Sequence, residues 1–221
     1  MALIAAIAAG AAPLGLANSV SLIPTGFANG YEAFNVNVPT IVDPSALATG
    51  AFAGTLDGNP IVFFCFELSQ SFYFNPSPAY TYDDSIVSGG KYDELSELFT
   101  EGFATALATP ASSAAFQLAV WEILEETTPG SLSPGVSQGS FYVTNDYGNT
   151  ATVTAANALL TGLPSTGAYT IHLLSNADNQ NFVYGTRPLR EELPEPAPLM
   201  LIGAAMIALF GIRRMVATRK G

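Results

Sequence analysis

The sequence has one cysteine, one histidine and few basic residues, and each scarcity narrows the functions open to it. With Cys65 as the single thiol, no disulfide can form within the chain. Lys and Arg number 7 against 18 acidic residues. Because an acidic surface repels phosphate backbones, we expect no nucleic-acid partner.

The sequence also lacks the spacings that hold common ligands. The acidic pairs at 83–84 and 93–94 do not have the spacing of a calcium loop, and no zinc pattern or phosphate-binding glycine loop is present. We therefore expect no metal and no cofactor.

The residues that are abundant favour short strands joined by turns. Aromatic residues make up 11% of the chain, with 20 Gly and 15 Pro. The patterns predict several strands within 18–60, further strands at 61–66, 141–143, 169–174 and 181–184, and helices at 92–107, 110–126 and 152–163. Residues 71–90 are predicted to be a long loop or an irregular strand. Together these elements predict an α+β fold, a β-rich sandwich or barrel-like body with an inserted helical part.

Residues 2–17 form an apolar run with small residues near its end, which is typical of a signal peptide. Gly15 and Ala17 suit a cleavage site before Asn18. No Lys or Arg precedes the run, and a buried helix is the alternative interpretation. We expect residues 1–17 to be a signal peptide that directs export.

The C-terminal segment has a proline-rich motif, an apolar stretch at 197–212 and a pair of arginines. The motif residues are Pro194, Glu195, Pro196, Arg213 and Arg214. This order resembles the PEP-CTERM sorting signal, which implies an exosortase-type membrane protease as a partner. An ordinary single-pass anchor is the alternative. As a helix the stretch spans about 24 Å, and the arginines after it are expected to remain cytoplasmic.

These segments predict the organisation of the whole chain. We expect a signal peptide at 1–17, an extracellular domain at 18–186, a linker at 187–193, and a sorting tail with a transmembrane helix at 194–221. The protein would be anchored in the inner membrane before processing and would then reach the cell surface or extracellular matrix.

A glutamine interrupts the apolar pattern of the second predicted helix. Gln117 shares a helical face with Val120, Trp121 and Leu124, and a buried amide without partners costs about 1–3 kcal/mol. A core glutamine bonded to the backbone is one interpretation. Cys65 lies in the apolar run 61–66, where a thiol usually packs as a small hydrophobe.

The same two residue types permit a covalent reaction if they meet. The Cys65 sulfur could attack the Gln117 carboxamide carbon and expel ammonia, which would leave an internal thioester. Such a bond must be shielded from water until a nucleophile arrives. The candidate shielding residues are Phe63, Phe64, Phe66 and Trp121.

Two segments carry a resemblance that favours the covalent interpretation. The sequences FFCFEL (63–68) and FQLAVWEI (116–123) resemble the two signatures of the thioester domain of bacterial surface adhesins. The resemblance implies that Cys65 supplies the sulfur and Gln117 the acyl carbon, and that the domain captures an amine, typically a lysine, on a surface or matrix partner. The best-known members have sortase tails, so the ligand identity does not transfer.

We therefore expect an exported adhesion protein and not an enzyme. The alternative is a noncovalent structural protein of the biofilm matrix with no thioester. A third hypothesis is a Cys–His hydrolase that pairs Cys65 with His172, although no sequence neighbour would orient the histidine. Lys91 is the single lysine between residues 18 and 193, which suits a protein that reacts with amines.

Overall fold

The computed structural model describes residues 18–38, 46–126 and 139–187. Its strands are β1 (Asn18–Phe27), β2 (Glu32–Asn37), β3 (Leu47–Thr49), β4 (Phe52–Leu56), β5 (Asn59–Cys65), β6 (Tyr80–Val87), β7 (Tyr142–Asn145), β8 (Thr170–Ser175) and β9 (Phe182–Thr186). Its helices are α1 (Lys91–Ala106), α2 (Pro110–Glu125) and α3 (Thr150–Thr161).

Six of the strands close into an antiparallel barrel in the order β1-β4-β5-β9-β8-β6. The β4–β5 hairpin turns at Asp57 and Gly58, whose φ angles of 49° and 80° fit the two-residue turns that match strand twist. At the other end of β5, Phe64 pairs with Val183 and Cys65 pairs with Phe182 of β9. The last residue of β5 is therefore part of the barrel wall.

The remaining strands form a separate sheet of order β3-β2-β7. Helices α1 and α2 lie between β6 and β7 in the chain, and α3 lies between β7 and β8. The predicted β-rich body with a helical insertion is thus observed, and its body is a barrel.

Helix α2 begins with strong local signals. The Thr109 side chain accepts a hydrogen bond from the Ser112 N–H, the Ser112 hydroxyl bonds the Thr109 N–H in return, and Pro110 occupies the first turn. Every residue from Ser113 to Ile123 is buried. Helix α2 is therefore covered by other elements around its whole circumference over this stretch.

Two clusters of buried side chains lie on either side of β5 and α2. The barrel core includes Val20, Leu22, Phe52, Phe63, Cys65, Tyr82, Leu118, Trp121, Leu174 and Phe182. The helix core includes Phe64, Leu95, Leu98, Phe99, Phe116, Ala119, Val120, Ile123, Ile171 and Val183. Both β5 and α2 contribute to both cores, so each core constrains their relative position.

The structure agrees with most predicted elements and sharpens others. All three predicted helices are present, with ends that differ from the predicted ones by at most two residues. Within 71–90, β6 is a regular strand of the barrel, and the residues on either side of it are irregular. No helix in the described ranges is both long and apolar enough to cross a membrane. The predicted signal peptide and transmembrane helix lie outside those ranges.

Candidate functional site

Cys65 and Gln117, separated by 52 residues in the chain, meet where α2 packs on β5. The Cys65 main-chain N–H donates to Oε1 of Gln117 at 2.8 Å, and Nε2 of Gln117 donates to the Cys65 carbonyl oxygen at 3.0 Å. Gln117 is fully buried, and Cys65 is 7% exposed. The carboxamide is therefore held in one orientation against the residue that bears the thiol.

The surroundings of the thiol keep it in its protonated form. Burial raises the pKa of Cys65 well above its ordinary value of 9.0, and the nearby carboxylate of Glu67 raises that pKa further. Because the thiolate is the reactive form of cysteine, the buried thiol is a weak nucleophile toward reagents from solvent. A high thiol pKa also makes the sulfur a poor leaving group once it is acylated.

The four candidate shielding residues divide between the two cores. Phe63 and Trp121 belong to the barrel core with Cys65. Phe64 lies in the helix core, with its ring centroid 4.6 Å from that of Phe116, and Phe66 packs on the edge of the same core. The division follows from strand geometry, because successive side chains of β5 point to opposite faces.

A cleft of about 290 Å³ lies beside Cys65. It is lined by Phe27, Leu47, Ala48, Phe52, Cys65, Leu68, Gln70, Ser71, Phe72, Phe74, Trp121 and Gln180. None of these described lining residues is charged. The sulfur-bearing residue thus borders an uncharged, aromatic-walled space.

Sequence reasoning missed most of the residues that line this cleft. The segment 68–74 contributes Leu68, Gln70, Ser71, Phe72 and Phe74. Of this segment, only residues 71–74 fell within a predicted element, the long loop or irregular strand at 71–90. Its apolar and aromatic residues follow the cysteine motif directly, which was the available signal. Their place in the same cleft as Cys65 depends on tertiary packing.

The single histidine lies in a different polar cluster. Nδ1 of His172 is 3.0 Å from Oδ1 of Asp84, and its Nε2 is 3.2 Å from Oγ1 of Thr186. The Tyr184 hydroxyl donates to Oδ2 of Asp84 at 2.8 Å, and the Tyr184 ring stacks on the imidazole. His172 therefore has an orienting partner in Asp84, which sequence reasoning did not identify. Both of its ring nitrogens bond residues other than Cys65.

The sorting residues Pro194, Glu195, Pro196, Arg213 and Arg214 lie outside the described residues. Over the described ranges, no group of three His, Cys, Asp or Glu side chains is arranged to hold a metal ion.

Among known proteins, two chains of solved structures are similar to this chain. No protein-family model matches the chain, and no curated protein matches it. The N-terminal domain of the Streptococcus pyogenes pilus tip adhesin Cpa is similar with a TM-score of 0.47 and 13% identity, over 72% of this chain and 95% of that chain. Since a TM-score below 0.5 does not establish a shared fold, the functional conclusions below depend on contacts within this chain.

Proposed function

We propose that this chain is an exported adhesion protein that attaches covalently to amine-bearing surface or matrix partners through a Cys65–Gln117 thioester. The observation that carries the proposal is the pair of hydrogen bonds, 2.8 Å and 3.0 Å long, between the Gln117 carboxamide and the Cys65 main chain. They hold a thiol-bearing residue and a primary amide together in a buried site.

The reaction requires no co-reactant. The Cys65 sulfur attacks Cδ of Gln117, the new S–C bond replaces the C–N bond, and ammonia leaves with the thiol proton. The Cys65 N–H that already donates to Oε1 would stabilise negative charge on that oxygen during the attack. In capture, an amine displaces the sulfur, forms an amide with the Gln117 carbon and returns a proton to Cys65.

The position of Lys91 is consistent with an amine-reactive protein. Its Nζ donates to the carbonyl oxygens of Leu124 and Glu126, at 2.7 Å and 2.6 Å, at the C-terminal end of α2. The single lysine of residues 18–193 is therefore engaged within its own domain, which disfavours capture of one copy by another.

The sorting tail supplies the second part of the proposal. The motif at 194–196 and the arginines at 213–214 would direct exosortase-type processing, with a membrane-anchored form before cleavage. The domain would then act at the cell surface or in the extracellular matrix.

A noncovalent structural matrix protein is the second candidate. The same two hydrogen bonds satisfy the Gln117 carboxamide, so a purely structural glutamine also accounts for its burial. In this case Cys65 remains a reduced, buried thiol.

Intact mass of the purified protein separates the two candidates. The thioester predicts a mass one ammonia below that of the sequence, a deficit that is absent from the Cys65→Ala variant. Methylamine should then add to Gln117 and free the thiol. A full mass, with Cys65 alkylated after denaturation, would overturn the thioester and support the structural candidate. Denaturation is needed because the buried thiol resists alkylation in the folded protein.

A further inference from the structure

The polar cluster around His172 fixes which ring nitrogen carries the proton. His172 is on β8, which lies between β6, with Asp84, and β9, with Tyr184 and Thr186. Nδ1 of His172 is 3.0 Å from Oδ1 of Asp84, and a carboxylate accepts hydrogen bonds but does not donate them. Nδ1 therefore carries the proton, and in the neutral imidazole the lone pair is on Nε2.

The second ring nitrogen contacts a hydroxyl group. Oγ1 of Thr186 is 3.2 Å from Nε2 of His172, and because Nε2 has a lone pair, the hydroxyl is the donor. A hydroxyl that donates to an imidazole, which in turn donates to a carboxylate, is the arrangement in which a general base activates a nucleophile. Thr186, His172 and Asp84 are thus connected in the order that proton transfer from the hydroxyl requires.

The base is held in place, whereas the hydroxyl is open to solvent. The Tyr184 hydroxyl donates to Oδ2 of Asp84 at 2.8 Å, and the Tyr184 ring stacks on the imidazole with a centroid distance of 4.5 Å. The side chains of His172 and Asp84 are each 15% exposed. Thr186 is the last residue of β9 and is exposed. A reagent in solvent can therefore reach the hydroxyl without displacing the residues that orient the imidazole.

The charges around the cluster favour an uncharged reagent. Burial, the hydrogen bond to Asp84 and the carboxylates of Asp84 and Asp57 all raise the pKa of Tyr184, so both carboxylates act on this region. The guanidinium of Arg187 lies over the ring of Tyr169, 5.1 Å from its centroid. Phosphoryl and sulfuryl donors carry negative charge and would be repelled by the two carboxylates. A neutral acyl donor would not be repelled.

We propose that Thr186 is an acyl-acceptor site, which takes an acyl group from an uncharged activated ester or thioester, with His172 as the general base and Asp84 as the positioning residue for the imidazole. Oγ1 of Thr186 attacks the acyl carbon, and its proton passes to Nε2 of His172. The bond from that carbon to the oxygen or sulfur of the leaving group breaks, and the leaving group takes the electron pair and then the proton from Nε2. The product is an ester at Thr186, and the reaction is independent of the proposed Cys65–Gln117 thioester.

The experiment treats the protein with 4-nitrophenyl acetate, an uncharged activated ester, and locates the acetyl groups by peptide mass mapping. It is run on the wild-type chain and on Cys65→Ala, which removes the only thiol. Hydroxylamine cleaves an acetyl ester but leaves an acetyl amide, such as one at Lys91. Thr144 is the internal control, because it is an exposed threonine on β7 and the single histidine of the chain bonds other residues.

The measured quantity is the ratio of the acetylation rates of Thr186 and Thr144. We expect a ratio of about one hundred or more in both proteins, since a positioned general base contributes about 10²–10⁴-fold. Equal rates at the two threonines would overturn the proposal. The ratio is used because a general loosening of the fold would expose both hydroxyls alike.

Three variants separate activation of the hydroxyl from packing of the cluster. His172→Asn can still donate a hydrogen bond to Asp84 but cannot accept the proton, so the ratio should fall to about one. Asp84→Asn should lower the ratio at least about tenfold, because an amide no longer fixes the proton on Nδ1. Thr186→Ser keeps the hydroxyl and should keep the ratio at the wild-type value or above it. A wild-type ratio in His172→Asn would show that the cluster serves packing alone and would overturn the proposal.

Discussion

The two sides of the β5–α2 pair differ in how completely they are filled. On the helix core side, Phe64 is fully buried, with ring centroids of Phe99 and Phe116 at 5.9 Å and 4.6 Å. On the barrel core side, Cys65 borders a cleft, and the indole nitrogen of Trp121 is unsatisfied. The adjacent residues Phe64 and Cys65 of β5 thus lie on opposite faces, one closely packed and the other bordering a cleft.

The two cores therefore have different roles: one holds β5 against α2, and the other contains the cleft. The packed face fixes the position of β5 against α2, because close-packed aromatic side chains resist displacement. That rigidity is what keeps the Gln117 carboxamide on the Cys65 main chain. The open face is less completely packed, and Cys65 is one of the residues that line its cleft.

The strongest test of this comparison removes a side chain from the packed face. Phe64→Ala should lower the free energy of unfolding by about 3–5 kcal/mol, because it deletes a fully buried ring. Phe74→Ala, at the partly exposed rim of the cleft, should cost less than about 1 kcal/mol. Denaturant unfolding of both variants measures the difference, and equal losses would contradict the division between the two faces.

A second test concerns the two hydrogen bonds between Gln117 of α2 and the main chain of Cys65 in β5. In a Cys65→Ala background, where no thioester can form, Gln117→Leu should cost about 2–4 kcal/mol because it leaves the residue 65 N–H and carbonyl unpaired. The Cys65→Ala protein with Gln117 intact is the reference. Urea unfolding at constant pH provides the comparison, and a neutral Gln117→Leu would show that these hydrogen bonds do not hold β5 to α2.

The smallest expected effect is a pH dependence of the free energy of unfolding, which arises from the Cys65 thiol on the open face. Burial raises the pKa of Cys65 in the folded state, so the thiol ionises first in the unfolded chain. The protonated thiol contributes fully to the free energy of unfolding below its ordinary pKa. As pH rises above that value, the contribution is lost, by about 0.4 kcal/mol between pH 8 and pH 9. Burial also raises the pKa values of Tyr82 and Tyr184, which contribute only at higher pH.

Unfolding measured at pH 8 and pH 9 tests this effect in three forms of the protein. The form with a free thiol should lose stability, whereas Cys65→Ala should not lose this component. The thioester form has no thiol to ionise and should behave like Cys65→Ala. The same loss in all three forms would assign the pH dependence to other groups.

Local patterns were sufficient to predict several parts of the fold. Thr109 and Pro110 mark the start of α2, and the alternation of side chains in β5 already separates Phe63 and Cys65 from Phe64 and Phe66. Applied strictly, that alternation would have restricted the predicted shield to Phe63 and Trp121. The pairing of Cys65 with Gln117 was expected only from a resemblance of two short segments, since nothing local to either residue requires contact.

The sequence alone determined the elements whose causes are local: the capped helix α2, the Asp57-Gly58 hairpin and the two-sided strand β5. Only the tertiary structure decided that the Gln117 carboxamide bonds the Cys65 main chain, that part of the segment 68–74 lines a cleft together with Cys65, and that Asp84 orients His172. Hydrogen bonding along the backbone and side-chain alternation act within a few residues, whereas these contacts join positions that closure of the barrel brings together.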